Sequence, residues 1–264
     1  MAIAVETMSR VITREEIISQ KPVVIAGPCA MESREQMLDI ATTLHDLDPN
    51  IILRAQSHKP RTSRDSFQGL GLDQGLSILE EIKERTGMVI ATEIVDKDFI
   101  KPTEGLVDIL WVGSRNMQNF ELLKAMEDDP RPVILKRGFA NTIKEWVESA
   151  RYIDEDLNRV ILCERGLRSS VDSMRFTLDL NGALVAKHDF GMPVLVDPSH
   201  TTGRADMVEK LALSGIAAGL DGIIVEVHPN PSKALSDKEQ QITPREFSNL
   251  LEKVNSIYQI VQEK

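Results

Sequence analysis

The sequence predicts a single (β/α)8 barrel, with residues 22–264 forming the barrel and residues 1–21 an N-terminal arm or short hairpin across its bottom. Three observations predict it. From residue 22 onward, apolar runs of about five residues, often β-branched, alternate eight times with amphipathic segments of helical period. The runs are apolar throughout, as in parallel strands buried on both faces. No shift in composition divides the 264 residues, and a barrel of this kind takes roughly 250.

The first run, 22–26, enters Ala26-Gly27-Pro28-Cys29 and then a helix near 33–47. The second, 51–55, carries Arg54 and is followed by Lys59 and Arg61 before a helix near 74–86. The third, 88–92, runs into Glu93 and a helix near 96–104; the fourth, 108–112, leads to Arg115 and a helix near 117–128. The fifth, 132–136, ends on Lys136 before a helix near 142–155, and the sixth, 159–163, precedes Arg165 and a helix near 170–188. The seventh, 193–197, opens Asp197-Pro198-Ser199-His200 and a helix near 203–219. The eighth, 222–226, ends on Glu226; a polar loop, 229–241, with Ser236-Asp237 separates it from a helix near 244–262. An open doubly wound sheet is the competing architecture, but it usually places a glycine-rich phosphate turn after the first strand. Here that turn holds Pro28, which has no N–H to donate, and Gly69-Leu70-Gly71 lacks the third glycine of a dinucleotide fingerprint.

Reactive or charged side chains thus recur at one end of all eight strands, the end where such barrels build active sites. Cys29, His200, Glu226 and Asp237 can surround one divalent ion. Their mix of sulfur, nitrogen and oxygen favours a transition metal (Mn, Fe, Co or Zn) over Mg or Ca. Each has a plainer reading alone: a buried hydrophobe for Cys29, a helix cap for His200, an exposed loop acid for Asp237. Glu226 resists one, because a carboxylate in a strand buried on both faces needs a cation or several donors. Arg54, Lys59, Arg61, Arg115, Lys136 and Arg165 converge on the same mouth, with Arg137 and Arg168 nearby. Such a cation cluster suits anionic small molecules, since guanidinium forks match phosphate and carboxylate oxygens. Lys136 ends an apolar run, so an anionic partner is expected for it; Glu93 is the structural alternative. Arg34, Lys83 and Arg151 read instead as helix-surface charges paired with acids.

The net charge of -10 disfavours nucleic acid as a partner. Two cysteines, Cys29 and Cys163, suggest no disulfide framework, and no signal peptide or apolar stretch of roughly 20 residues is evident. A cytoplasmic protein with no membrane partner is expected.

Several segments are specific: Ala-Gly-Pro-Cys at 26–29, Lys-Pro-Arg-Thr-Ser at 59–63, Ser-Phe-Gln-Gly-Leu-Gly at 66–71 and Gly-Ser-Arg-Asn at 113–116. To these add Leu-Lys-Arg-Gly at 135–138, Cys-Glu-Arg-Gly at 163–166, Asp-Pro-Ser-His at 197–200 and Glu-Val-His-Pro at 226–229. On these segments the chain, from residue 22 to about 255, resembles the type I 3-deoxy-D-arabino-heptulosonate 7-phosphate (DAHP) synthases. Within them it resembles the subgroup related to 3-deoxy-D-manno-octulosonate 8-phosphate synthase. The resemblance implies a (β/α)8 enzyme that condenses phosphoenolpyruvate with erythrose 4-phosphate, the entry step of the shikimate pathway to chorismate and the aromatic amino acids. It implies a divalent metal ion (Mn2+, Co2+, Fe2+ or Zn2+) on Cys29, His200, Glu226 and Asp237. It assigns phosphoenolpyruvate contacts to Arg54, Lys59, Arg115, Lys136 and Arg165, and the erythrose 4-phosphate site to Arg61 and Thr62. Pro60, Ser63 and Ser114 join the substrate contacts, and Glu93, with Lys59, handles the proton of the attacking water. A homotetramer or homodimer is expected. No regulatory domain is visible beside the barrel, so feedback inhibition by an aromatic amino acid bound within the chain is not expected.

The nearest rival is octulosonate phosphate synthesis from arabinose 5-phosphate, whose enzymes typically read Lys-Ala-Asn-Arg-Ser where this chain reads Lys59-Pro60-Arg61-Thr62-Ser63. A rival of another class is a non-catalytic barrel that only binds sugar phosphates. Two departures from the family stand out. Ser114 replaces an alanine, with little consequence expected, and Ala55-Gln56-Ser57-His58 replaces small, glycine-rich residues. Gln56 and His58 are therefore expected to crowd or repolarise the floor of the site.

Overall fold

All eight apolar runs become strands, each hydrogen-bonded in parallel to the next until the eighth closes on the first. The structure, a computed structural model, describes residues 11–59 and 65–262. The strands are β1 (Val23–Gly27), β2 (Ile52–Arg54), β3 (Ile90–Glu93), β4 (Ile109–Val112), β5 (Val133–Lys136), β6 (Val160–Glu164), β7 (Val194–Val196) and β8 (Gly222–Glu226). The helices are α1 (Arg14–Ser19), α2 (Arg34–Leu47), α3 (Leu72–Thr86), α4 (Phe120–Lys124), α5 (Ile143–Arg151), α6 (Leu180–Asp189), α7 (Pro198–Thr202), α8 (Ala205–Ala217) and α9 (Pro244–Gln262).

Side chains alternate across each strand, so one parity faces the barrel interior and the other the helices. The interior is a separate apolar cluster that includes Ile25, Ile52, Ala91, Trp111, Ile134, Cys163, Leu195 and Ile224. Two residues further along, the same parity reads Gly27, Arg54, Glu93, Gly113, Lys136, Arg165, Asp197 and Glu226. The barrel therefore changes from an apolar plug to a charged floor within one pleat, at the C-terminal ends of its strands. Gly27 is required there: a Cβ on it would lie 2.3 Å from the Arg54 carbonyl oxygen.

Of the N-terminal segment 1–21, residues 11–21 are described, and they contain a helix. Residues 14–19 form α1, whose Thr13 side chain caps the Glu16 N–H while Glu16 returns to the Thr13 backbone. Ile17 plugs the interior cluster from below. Residues 1–10 lie outside the described residues.

Three helices are shorter than their patterns suggest. Residues 96–104 form two short 3-10 turns, Lys97–Phe99 and Lys101–Thr103, because Pro102 cannot continue an α-helix. The segment 117–128 is helical only over α4, where Asp128, Asp129 and Pro130 follow. The segment 170–188 becomes helical only at Leu180, after the Asp179 cap. Its first ten residues form a loop in which Ser169 bonds Thr177 at 2.6 Å and the Val171 N–H, competing with helix formation. A short helix, α7, appears where the sequence suggested at most a cap.

Candidate active site

The charged floor opens into a concave, polar-lined cavity. Its lining includes Arg54, Lys59, Glu93, Ser114, Arg115, Lys136, Arg165, His200 and Asp237 among the residues singled out in the sequence. Pro60, Arg61, Thr62 and Ser63 lie outside the described residues. Gln56, Trp111, Gly113, Phe139 and Arg175 complete the lining.

One wall is a donor set for a cation. Ligand atoms of Cys29, Glu226 and Asp237 all lie within 4.8 Å of one another. The Cys29 Sγ sits 3.1 Å from Asp237 Oδ2 and 2.9 Å from Ser236 Oγ, and its backbone N–H is pinned by Gln241 at 2.9 Å. Burial, with Glu226 close by, pushes the Cys29 thiol up to about 12. Asp237 reaches the group from a left-handed backbone conformation, φ 45°, which aspartate tolerates better than most residues. Glu226 ends β8 with no exposure: Gln240 Nε2 donates to its Oε2 at 2.6 Å, and its N–H donates to Ser199 Oγ at 2.9 Å. Its Oε1 makes no well-directed hydrogen bond, although Arg54 Nη2 (3.1 Å) and His200 Nε2 (3.3 Å) approach it. Burial alone would raise the Glu226 carboxyl; the His200 ring and the charges of Arg54 and Lys59 outweigh it and hold the group below its ordinary value. A buried, ionised oxygen without a hydrogen bond, beside a thiol and a second carboxylate, is what a divalent cation fits.

His200 is held by a residue that the sequence reading left without a role. Asp197, fully buried, caps α7 through the His200 N–H at 3.1 Å and contacts His200 Nδ1 at 2.8 Å. The same oxygen accepts from Lys136 Nζ at 2.6 Å. Burial would raise Asp197, but His200 and Lys136 together hold it well below the ordinary carboxylate range. With Asp197 ionised, Nδ1 carries the ring proton and the Nε2 lone pair turns toward Glu226, the arrangement of a metal-ligating histidine. Burial also holds the His200 ring below its usual value despite the two carboxylates. The anionic partner expected for Lys136 is therefore Asp197, not Glu93. Parity could have found Asp197, since it lies two residues beyond the inward-facing Leu195.

Next to this donor set the floor is cationic and short of acceptors. Arg54 is 1% exposed and lies 5.4 Å from the Trp111 ring centroid, yet its Nε and Nη1 have no partner. Arg165 is sandwiched against the stacked Phe139–Phe176 pair, at 5.1 and 4.3 Å from the two rings. Burial pushes its guanidinium down to about 10, and Nη1 has no partner. Ser114 Oγ is also buried and unbonded. Four of the seven such atoms among the described residues belong to Arg54, Ser114 and Arg165, which all line the cavity. Orphaned buried donors are costly, and their concentration in one cavity marks where an anion binds.

The other charges separate clearly. Arg137, one residue past Lys136, has the opposite parity and is locked by Glu164 (3.1 Å) and Asp179 (2.7 Å), away from the mouth. Arg168 lies 5.5 Å from the Phe139 ring. Arg34 pairs with Glu81, Lys83 with Asp108 and Arg151 with Glu148. His58 packs edge-on against Phe99 and does not line the cavity, so of the two departures only Gln56 reaches the floor. The sequence reading missed Arg175 because it placed that residue inside a helix. It missed Gln240 and Gln241 because nothing in a polar loop marks a buried amide.

A profile of the DAHP synthetase I family matches residues 10–263. The chain is 43% identical over 235 residues to a phospho-2-dehydro-3-deoxyheptonate aldolase of Thermotoga maritima, covering 89% of this chain and 69% of that protein. It is 32% identical over 250 residues to a 2-dehydro-3-deoxyphosphooctonate aldolase of Desulfatibacillum aliphaticivorans, covering 88% and 90%. A crystal structure of the Thermotoga maritima DAHP synthase superposes with a TM-score of 0.84 at 41% identity, over 90% of this chain and 69% of that one.

Proposed function

The chain belongs to the DAHP synthetase I family, and from that premise we propose that it condenses phosphoenolpyruvate with D-erythrose 4-phosphate and water, giving 3-deoxy-D-arabino-heptulosonate 7-phosphate and phosphate. The observation that carries the reading is a juxtaposition: orphaned guanidinium donors on Arg54 and Arg165 line the same cavity as His200 and Asp237, directly beside the Cys29–Glu226–Asp237 donor set. A silent sugar-phosphate binder has no use for the donor set. Octulosonate phosphate synthesis is disfavoured by Lys59-Pro60-Arg61-Thr62-Ser63 and by the lower identity to the relative of that name.

In this reading Cys29, His200, Glu226 and Asp237 hold a divalent transition-metal ion, which supplies a Lewis acid for the aldehyde oxygen. Arg54, Arg115, Lys136 and Arg165 bind the carboxylate and phosphate of phosphoenolpyruvate and fix its C3 against the aldehyde carbon, removing much of the entropic barrier. As the C3–C1 bond forms, positive charge develops at C2 and water adds there. Glu93, supported by Lys59, takes one water proton, and the former aldehyde oxygen gains one from solvent to become a hydroxyl. The C2 hydroxyl of the resulting phosphohemiketal then loses its proton as the C2–O bond breaks, leaving the C2 ketone and releasing phosphate with its bridging oxygen. Asp197 keeps the His200 proton on Nδ1 throughout. The reading also proposes a homodimer or homotetramer and a cytoplasmic location. No helix among the described residues is long and apolar enough to cross a membrane.

The test is phosphate release from phosphoenolpyruvate with Mn2+ or Co2+, run side by side with erythrose 4-phosphate and arabinose 5-phosphate. Turnover with the four-carbon sugar at least about tenfold above the five-carbon one is expected. No release with either sugar rejects the reading.

The Cys29 thiol adds a pH dependence. Because that thiol titrates only near 12 in the ion-free protein, an incoming ion must expel its proton. Each unit of lower pH makes the proton a stronger competitor, so the affinity for Zn2+ or Mn2+ should fall about tenfold per unit from about pH 8 to 6.5. His200 contributes little to that slope, since burial keeps its ring neutral there. Chelator-competition titrations measure the slope; a flat profile would exclude a thiolate ligand.

A further inference from the structure

We propose that Gln56 is a positioning residue for this reaction: its amide stands between Lys59 and Glu93, keeps them from pairing, and aims the Glu93 carboxylate at the attacking water. The inference rests on the function proposed above. Gln56 follows β2, is 1% exposed, and its carbonyl oxygen accepts the Met31 N–H at 2.9 Å, so its backbone is fixed to the loop after β1. Its Oε1 accepts from Lys59 Nζ at 2.6 Å, and its Nε2 donates to Glu93 Oε2.

The orientation of the amide is forced. Lys59 spends its other two donors on the Cys29 carbonyl (2.8 Å) and Sγ (3.2 Å). An ammonium has no acceptor and an ionised carboxylate no donor. Only one amide orientation bonds both, and the reverse would set donor against donor and acceptor against acceptor. The second Glu93 oxygen is seated over Gly113, where a Cβ would come within 2.1 Å of Oε1. The carboxylate is thus clamped between a neutral donor and a bare backbone. Among the described residues Lys59 and Glu93 form no direct ion pair, although one side chain separates them. A direct pair would occupy the lone pairs that a base needs and draw Lys59 away from Cys29. The interposed amide leaves Glu93 oriented and open toward the cavity that both residues line.

The test is a double-mutant cycle of Gln56→Met and Glu93→Gln, with kcat, both KM values and melting temperature measured on the full chain. Gln56→Met keeps the volume and loses both bonds. It should lower kcat about 10- to 100-fold while the KM for erythrose 4-phosphate stays within about twofold. Because Gln56 acts through Glu93, the double variant should be no slower than Glu93→Gln alone. Gln56→Glu is the second variant, used in the cycle if Gln56→Met does not fold. It retains the acceptor for Lys59 but opposes a carboxylate to Glu93, so kcat should fall at least as far. A wild-type kcat in either folded variant, or multiplicative effects in the cycle, overturns the proposal while leaving the condensation reading intact. A wild-type protein that releases no phosphate overturns both.

Discussion

Lys136→Met is expected to destabilise the fold by about 3 kcal/mol and to lower turnover roughly 30- to 1000-fold. Lys136 is 5% exposed, and its ammonium sits 2.6 Å from Asp197 Oδ2 and 5.7 Å from the Trp111 centroid. Methionine fits the stem but removes the charge, leaving a fully buried carboxylate with His200 as its remaining partner. Stranding a buried charge costs more than the pair contributes, so the melting temperature should drop. The loss should spread along the shared oxygen. Asp197 would draw its compensating charge from the imidazole, and a protonated Nε2 cannot ligate a metal. Metal affinity should therefore fall together with phosphoenolpyruvate turnover. A variant with wild-type melting temperature and near-normal phosphoenolpyruvate kinetics would rule out both roles.

That coupling marks the boundary of what the sequence makes legible. The eight strands are visible because each is buried on both faces and so reads as an unbroken apolar run, from 22–26 to 222–226. Parity then carries Arg54, Glu93, Lys136, Arg165 and Glu226 to the floor without any tertiary knowledge, and the same rule rejects Arg137. Partnership is another matter. Lys136 and Asp197 are 61 residues apart and meet only because β5 and β7 flank β6 and point one parity at a common centre. The loop before α6 is hidden for a similar reason. Its conformation depends on Phe176 stacking on Phe139 from the loop after β5, with Arg165 across both rings, contacts that exist only once the barrel has closed. Gln240 and Gln241 become buried amides only because the 229–241 loop folds over the end of β8.

Glu226→Gln should abolish metal binding and destabilise the fold at once, although it changes no shape. Loss of a direct ligand should weaken Mn2+ or Zn2+ binding by more than about 100-fold, the upper end for residues that merely support ligands. Without the ion's Lewis acidity turnover should fall by at least about 1000-fold. The stability effect comes from Arg54. Its guanidinium, with no solvent to retreat to, has the Glu226 carboxylate at 3.1 Å, and among the described residues otherwise the Cys29 carbonyl at 3.5 Å and the Trp111 ring. A neutral amide leaves that cation unpaired, a loss of about 3–5 kcal/mol, and a protein of this size should melt roughly 6–15 °C lower. Neither amide orientation escapes. With its nitrogen toward Gln240 Nε2 two donors face each other, and with its nitrogen toward Arg54 Nη2 they do so again. Phosphoenolpyruvate or inorganic phosphate, by giving Arg54 an anion, should recover part of the lost melting temperature but none of the turnover, a separation that a merely misfolded variant cannot show. If Glu226→Gln instead binds Mn2+ and turns over as the wild type does, the ion lies elsewhere, and the group formed by Cys29, Glu226 and Asp237 is a structural cluster under the substrate floor.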